Sequence, residues 1–348
     1  MATDAYAFLA QAPAVDRVDV FQEAAAHLGT TPAHIEKDLW VCWTLRALFA
    51  NRPQQVPSYV FRGGTSLSKC FGITHRFSED VDITVRREDL GCTESFGELE
   101  ARSRRGRRAV IDGLMARCRA HVADEMQPYL QGKLEEVAGG TARVVIDPTV
   151  QDSMTLLVDY NAATGPGDGY TYSPVRVEIG PRSDTHLLAT VTVTPYCQSF
   201  VNADLAVPGV TVLRPERTTW DKVLIAHRLC TEEDARHPGQ ASRWNADLQS
   251  RHFYDLHMLH RDGTATRAIN DTALLRESVR HTRLFFPRTG DGIERAARGS
   301  FSITPRGALL DSLAADYAAM QRMILGTRPQ FDEVLASVVE LERALNTP

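Results

Sequence analysis

The sequence predicts an α+β fold, a mixed β-sheet flanked by helices and followed by a helical bundle, and three observations carry this. Apolar residues recur at helical spacing over residues 15–50 and again from about 216 onward. Between 143 and 196 the pattern changes to short runs rich in β-branched residues, ARVVI, MTLLVDY, VRVEIG and LLATVTVTPY, separated by Gly, Pro, Asp and Ser. The stretch 58–85, SYVFRGGTSLSKCFGITHRFSEDVDITV, reads as a strand, a Gly-Gly turn, a short helix, a polar loop and a second strand. The matching division is 1–55 for N-terminal helices packing on a core, 56–214 for the core, and 215–348 for a helical domain.

Taken in order, residues 15–28 place Val18, Phe21, Ala25 and Leu28 on one side of a helix, with Gly29 as its stop. Thr31 and Pro32 read as N-cap and first-turn proline of a helix through HIEKDLWVCWTLRALFA. Glu36 reads as part of a solvated first turn that suits the helix dipole, while Lys37 and Asp38 stay open. A helix over about 96–126 begins with Arg102, Arg104, Arg105, Arg107 and Arg108, the densest positive run in the chain; it is either a phosphate-tracking surface or a solvated face. NAATGPGDG is a turn and not a phosphate loop, because no helix pattern follows it. Further helices are expected at 216–230, 242–260, 269–285, 306–325 and 330–345, the C-terminal ones forming a bundle. On the helix from 216, Trp220, Val223, Leu224 and Ala226 make the apolar stripe and Lys222 lies opposite much of it.

Composition narrows the class. The 348 residues are 43% hydrophobic and 24% charged, an ordinary globular balance. A net charge of −5 gives no global attraction to nucleic acid, so any polyanion contact must be local. No apolar run reaches membrane-spanning length, WVCWTLRALFA being short and interrupted by Arg46, and the N-terminus lacks a signal-peptide pattern; cytoplasm is the expected compartment. The six cysteines lie far apart with no C-x-x-C pair, which argues against a zinc site and a disulfide framework.

The chemistry concentrates in 58–85. Residues two apart on a strand point to one face, so Asp80 and Asp82 present two carboxylates together. Hard oxygen ligands in that arrangement suit Mg²⁺, which takes one or two carboxylates and completes its shell with phosphates and water. Gly63 and Gly64 allow a sharp turn and close approach of a ligand, and the helix that follows offers free N–H groups to phosphate. In VRVEIG, Glu178 shares a face with Arg176 while Val175, Val177 and Ile179 take the other. Glu178 is thus either a third carboxylate or a surface partner of Arg176 or Arg182. His252, His257 and His260 lie at helical spacing, but no further matched ligand supports a histidine metal site.

The runs Gly63-Gly64-Thr65-Ser66-Leu67-Ser68-Lys69 and Arg76-Phe77-Ser78-Glu79-Asp80-Val81-Asp82 closely resemble the signature of the AbiEii/MenT nucleotidyltransferase toxins of bacterial abortive-infection and toxin–antitoxin systems. Weaker matches extend over most of the chain. The resemblance implies a polymerase-β-like nucleotidyltransferase core and transfer of a nucleoside monophosphate from an NTP to a hydroxyl. It implies Mg²⁺, with Mn²⁺ as an alternative, on Asp80, Asp82 and Glu178, and triphosphate at Gly63, Gly64, Thr65, Ser66 and Lys69. Lys222 would contact the nucleotide phosphates, Asp255 would orient Lys222, and Ser78 would be a control point where phosphorylation disturbs the acidic motif. The implied partners are the NTP, RNA (tRNA at its 3′ acceptor end) and a cognate antitoxin, with no membrane. The spacers after Asp82 and between Lys222 and Asp255 are long, which leaves the acceptor open. The alternatives are transfer to a protein or small molecule, and a non-catalytic NTP-binding module.

Overall fold

A computed structural model of the chain describes residues 4–52, 57–165, 174–236, 249–288, 290 and 292–347. They form two compact units, Met1–Cys70 with Phe77–Leu213, and Phe71–Arg76 with Arg214–Pro348. The architecture is α+β, with a mixed seven-stranded sheet.

In the first unit, α1 (Ala5–Ala10), α2 (Ala14–Leu28) and α3 (Pro32–Leu45) precede the sheet. Gly29 adopts φ +66° and ends α2 in the left-handed conformation, and the Thr31 hydroxyl accepts the His34 N–H to start α3. The remaining elements are β1 (Tyr59–Arg62), α4 (Gly63–Lys69), β2 (Asp80–Val85), α5 (Phe96–Ala101), α6 (Arg104–His121), α7 (Gln127–Ala138), β3 (Arg143–Ile146), β4 (Thr155–Asp159), β5 (Val175–Gly180), β6 (Leu188–Val193) and β7 (Val207–Leu213).

Three features differ from the sequence expectation. The single helix over 96–126 is two, because Ser95 and Ser103 each cap a new start. The helical path also continues beyond 126 through α7. Strand β7 carries Pro208 and Gly209, which weaken a strand signal, yet it joins β1 to β6 in the sheet.

Strand order is β3-β4-β5-β2-β1-β7-β6; β2/β5 and β1/β7 run parallel and the other pairs antiparallel. On one face Val81, Ile83 and Val85 of β2 and Val175, Val177 and Ile179 of β5 are buried, as their alternation requires. Burial of such side chains contributes about 1.5–3 kcal/mol each. The opposite face of β2 carries Asp80, Asp82 and Thr84, and only Thr84 is fully buried.

The second unit is helical: α8 (Pro215–Asp234), α9 (Ser250–Arg261), α10 (Thr264–Asn270), α11 (Thr272–Phe285), α12 (Gly307–Met320) and α13 (Phe331–Asn346). The expected start of α9 at 242 falls on residues outside those described. Helix α8 packs against α9, α10, α11 and α12, so it is enclosed on more than its apolar stripe. Arg217, Thr218, Thr219 and Lys222 are buried along with Trp220 and Val223. Lys222 is therefore not on a solvated face. Phe71–Arg76 belongs to this unit through an isolated bridge between Arg76 and Ile324 and a bond from the Leu325 N–H to the His75 carbonyl. Among the described residues no helix is long and apolar enough to cross a membrane.

Candidate active site

Register builds the site in the first unit. Arg62 of β1 lies opposite Asp82 of β2, which in turn pairs with Glu178 of β5; two residues along, Asp80 pairs with Arg176. Directly paired residues share a face. The sheet therefore presents a row Arg62–Asp82–Glu178 and a second row Asp80–Arg176. Side chains of opposite charge meet there: Arg62 Nη2 is 3.6 Å from Asp82 Oδ1, and Arg176 Nε donates to Glu178 Oε1 at 3.1 Å. Arg176 also donates to Asp147 Oδ2 at 3.0 Å, through Nη1.

Gly63 sets the other wall. Its φ is +82°, and a Cβ at this position would lie 2.1 Å from Asp82 Oδ2. The carboxylate is thus seated against a bare backbone, which only glycine supplies. Gly63→Ala is expected to displace the Asp82 carboxylate, lower the activity that carboxylate serves by about two orders of magnitude and cost about 1–2 kcal/mol in backbone strain. Parallel activity and melting measurements check this; a variant as active as wild type would show that the seat is immaterial.

The side chains of the helix after the glycines are used internally. The Thr65 hydroxyl lies 2.6 Å from the Asp80 carbonyl oxygen and 2.7 Å from Ser78 Oγ, and Thr65 is buried. Ser66 Oγ donates to the Gly63 carbonyl at 2.8 Å. Thr65 and Ser66 therefore brace the acidic strand and the turn, leaving their hydroxyls no proton to spare for phosphate. Lys69 departs further from the expected phosphate contact. Its ammonium is 2.7 Å from Asp38 Oδ1, donates to the Thr194 carbonyl and lies 3.7 Å from the centroid of the Tyr196 ring. The lysine side chain is only 4% exposed. Burial acts to lower its pKa, but the Asp38 carboxylate outweighs this and keeps the ammonium charged.

Glu36 corrects the reading of a solvated first turn, and Lys37 and Asp38, which the sequence left open, are buried with it. Glu36 accepts the Ala163 and Thr164 N–H groups at 2.7 and 2.9 Å, Lys37 pairs with Glu79, and Asp38 accepts the Tyr196 N–H at 2.6 Å as well as holding Lys69. Buried charges persist only when paired, and here each has its own partner. Nothing in local periodicity signals this, because the partners come from distant segments.

The donor set fits a divalent cation in part. Asp80 and Asp82 supply two hard carboxylates on one face, sufficient when phosphates complete the shell. Glu178 lies in register beside Asp82, with its Oε1 accepting from Arg176 Nε at 3.1 Å. Among the described residues no group of three or more His, Cys, Asp and Glu is arranged to hold a metal.

In the second unit, Asp255 sits at the centre of a buried cluster. Arg76 donates Nε to Oδ1 at 2.8 Å and Nη2 to Oδ2 at 3.0 Å, and Lys222 Nζ is 2.8 Å from Oδ2. Burial alone would raise the Asp255 pKa; Arg76 and then Lys222 hold it well below the usual carboxylate range. Lys222 has its pKa lowered by burial, with Asp255 opposing the shift. The cluster gathers Lys222 and Asp255, which the resemblance paired, and adds Arg76 and His252, which sequence reading named but did not place beside them. His257 instead bonds Ser337 and His260 bonds Glu340, so the three histidines share no ligand.

Among solved structures the chain is similar to MenT4, a nucleotidyltransferase toxin of Mycobacterium tuberculosis H37Rv, at 17% identity and a TM-score of 0.47, covering 95% of this chain and 90% of that one. No curated protein matches it in sequence. The family model for the nucleotidyl transferase AbiEii toxin of type IV toxin–antitoxin systems matches residues 46–337, most of the chain, and the protein belongs to that family.

Proposed function

We propose that the chain is a divalent-metal-dependent nucleotidyltransferase toxin that moves a nucleoside monophosphate from an NTP to an RNA hydroxyl, the 3′ acceptor end of tRNA being the acceptor the family resemblance favours. The observation that carries the catalytic part is the pair Asp80 and Asp82 on one face of β2, with Gly63 backbone against Asp82 and Glu178 in register beside it. Mg²⁺, or Mn²⁺, on Asp80 and Asp82 would offset phosphate charge in the displacement. The turn at Gly63 and Gly64 meets the triphosphate with backbone. Thr65 and Ser66 act by bracing that turn, and Lys69 by anchoring the end of α4 to Asp38. Glu178, one strand from Asp82, positions or deprotonates the attacking hydroxyl once Arg176 yields it. Lys222, held by Asp255, is the cation that the family resemblance assigns to the nucleotide phosphates.

Ser78 is the proposed control point. Its hydroxyl contacts Thr65, which also holds the Asp80 carbonyl, so a phosphate on Ser78 would break this brace and put negative charge beside the acidic strand. An antitoxin is the partner that would exploit it.

The RNA part is supported by α6. At roughly 100° per residue, Arg105, Arg108 and Arg119 fall in one sector of the helix, away from buried Leu114, Cys118 and His121, with Arg104 at the edge of that sector. Arg102 is drawn to Glu94 at 3.0 Å and Arg108 to Asp112 at 3.6 Å, both exposed contacts of small energetic weight. Charge at the start of this helix has the wrong sign for its dipole, so it does not stabilise the fold, whereas it does suit a polyanion.

Incubation with α-labelled NTPs, Mg²⁺, total RNA and cell protein tests the reading. The expected result is label in tRNA with release of pyrophosphate. Label on protein alone would replace RNA as acceptor, and NTP binding without pyrophosphate release would reduce the chain to a binding module.

A further inference from the structure

The residues that lead into Asp80 alternate between two helices of the first unit. Phe77 stacks on the His34 ring of α3, with ring centroids 4.4 Å and planes 18° apart, and Glu79 pairs with Lys37 of the same helix. Between them Ser78 turns to α4, where its Oγ lies 2.7 Å from Thr65 Oγ1, which is also 2.6 Å from the Asp80 carbonyl oxygen. His34 and Lys37 are three residues apart, so one face of α3 makes both of its contacts. All of these residues belong to one compact unit.

The Lys37 side chain is 1% exposed, so it meets no ligand itself. Burial lowers its pKa, while Glu79 and then Asp80 oppose the shift, so the ammonium lies within electrostatic reach of the acidic motif as well as of its own partner. Stability does not account for a lysine here. The water lost in burying an ammonium offsets much of what its ion pair contributes, and an apolar side chain of similar volume would fill the same space. The stack of Phe77 on His34 already ties the segment to α3. What the ion pair adds is a fixed point on the residue next to Asp80. That residue needs one, because Asp80 begins β2 and its carboxylate stands at the strand end, on the same face as the Asp82 carboxylate of like charge.

We propose that Lys37 is a positioning residue for the cation site: by holding Glu79 it fixes the start of β2, so that the Asp80 carboxylate is in place beside Asp82 before a cation arrives. The inference rests on the reading of Asp80 and Asp82 as metal-holding carboxylates. Lys37→Met and the double variant Lys37→Met/Glu79→Gln test it, with Mn²⁺ alone titrated into the full-length chain and read by electron paramagnetic resonance. The double variant removes one charge of each sign, so it leaves the field at Asp80 and Asp82 nearly unchanged and buries no unpaired charge. Mn²⁺ affinity is expected to fall about ten-fold or more in the double variant, and to fall in Lys37→Met as well, with both melting as folded proteins. Loss of a nearby positive charge would by itself strengthen Mn²⁺ binding, so the expected direction is opposite to that of a purely electrostatic effect. Wild-type or tighter binding in either variant overturns the proposal. Hydrogen exchange of the metal-free protein supplies a second readout. Peptides covering 77–82 should exchange about ten-fold faster in the double variant, while those covering β5 and β7 keep wild-type rates. Unchanged exchange over 77–82, or faster exchange throughout the sheet, overturns the positioning role. If wild type binds no Mn²⁺, the metal reading of Asp80 and Asp82 falls and the cation-site role of Lys37 falls with it, whereas exchange over 77–82 still decides whether Lys37 holds the segment.

Discussion

Asp80→Ala is expected to lower nucleotide transfer by at least about 10³-fold, a loss of roughly 4 kcal/mol of transition-state stabilisation, and to remove any growth inhibition the protein causes. The strand should survive the change. Thr65 holds Asp80 by its backbone carbonyl, which alanine keeps, and the core face of β2 is made by Val81, Ile83 and Val85. A melting curve close to that of wild type, together with absent pyrophosphate release, would place the defect in the chemistry. Residual transfer above about a tenth of wild type would break the assignment of Asp80 as a metal-holding carboxylate. Asp82→Ala should behave alike in activity, and it also takes from Arg62 the carboxylate 3.6 Å from its guanidinium, leaving the bond to Thr84 Oγ1.

The second large effect falls on stability. Asp255→Ala leaves Arg76 and Lys222 buried without their shared carboxylate, and breaking such a pair costs about 3–5 kcal/mol. Thermal denaturation of the second unit should move down by roughly 10 °C. The acid dependence carries a sign. Because the Asp255 pKa is depressed by folding, its stabilisation is fully present above the unfolded carboxylate value of about 4 and is lost as pH falls through the folded value. The gap in stability between wild type and Asp255→Ala should thus be constant above about pH 4 and narrow below it. A gap that does not change on acidification would mean that the carboxylate acts by shape alone. Transfer should fall as well, because Lys222 loses the partner that places it.

Spacing alone determined a good deal of this protein. The strand period put Asp80 and Asp82 on one face, as it put Glu178 opposite Val177 and Ile179, because alternation is a local property of extended backbone. Thr31, Pro32 and Gly29 marked helix ends through their own side chains and φ preferences. The GG-T-S and R-F-S-E-D-V-D runs pointed to the family that the match over 46–337 shows.

Which charge meets which was decided only by tertiary structure. Lys69 could be read as a phosphate ligand until α4 and α3 placed it on Asp38, and only the sheet shows that Glu178 lies beside Asp82 with its Oε1 on Arg176. Glu36 looks solvated on a helix start, where Lys37 and Asp38 stay open, yet all three are buried with partners from Ala163, Thr164, Glu79, Lys69 and Tyr196. Lys222 looks solvated by helical phase, and the helices around α8 enclose it with Asp255, Arg76 and His252. Charge pairing depends on register, packing and lost water, all of which join residues far apart in the chain, so no local pattern encodes it.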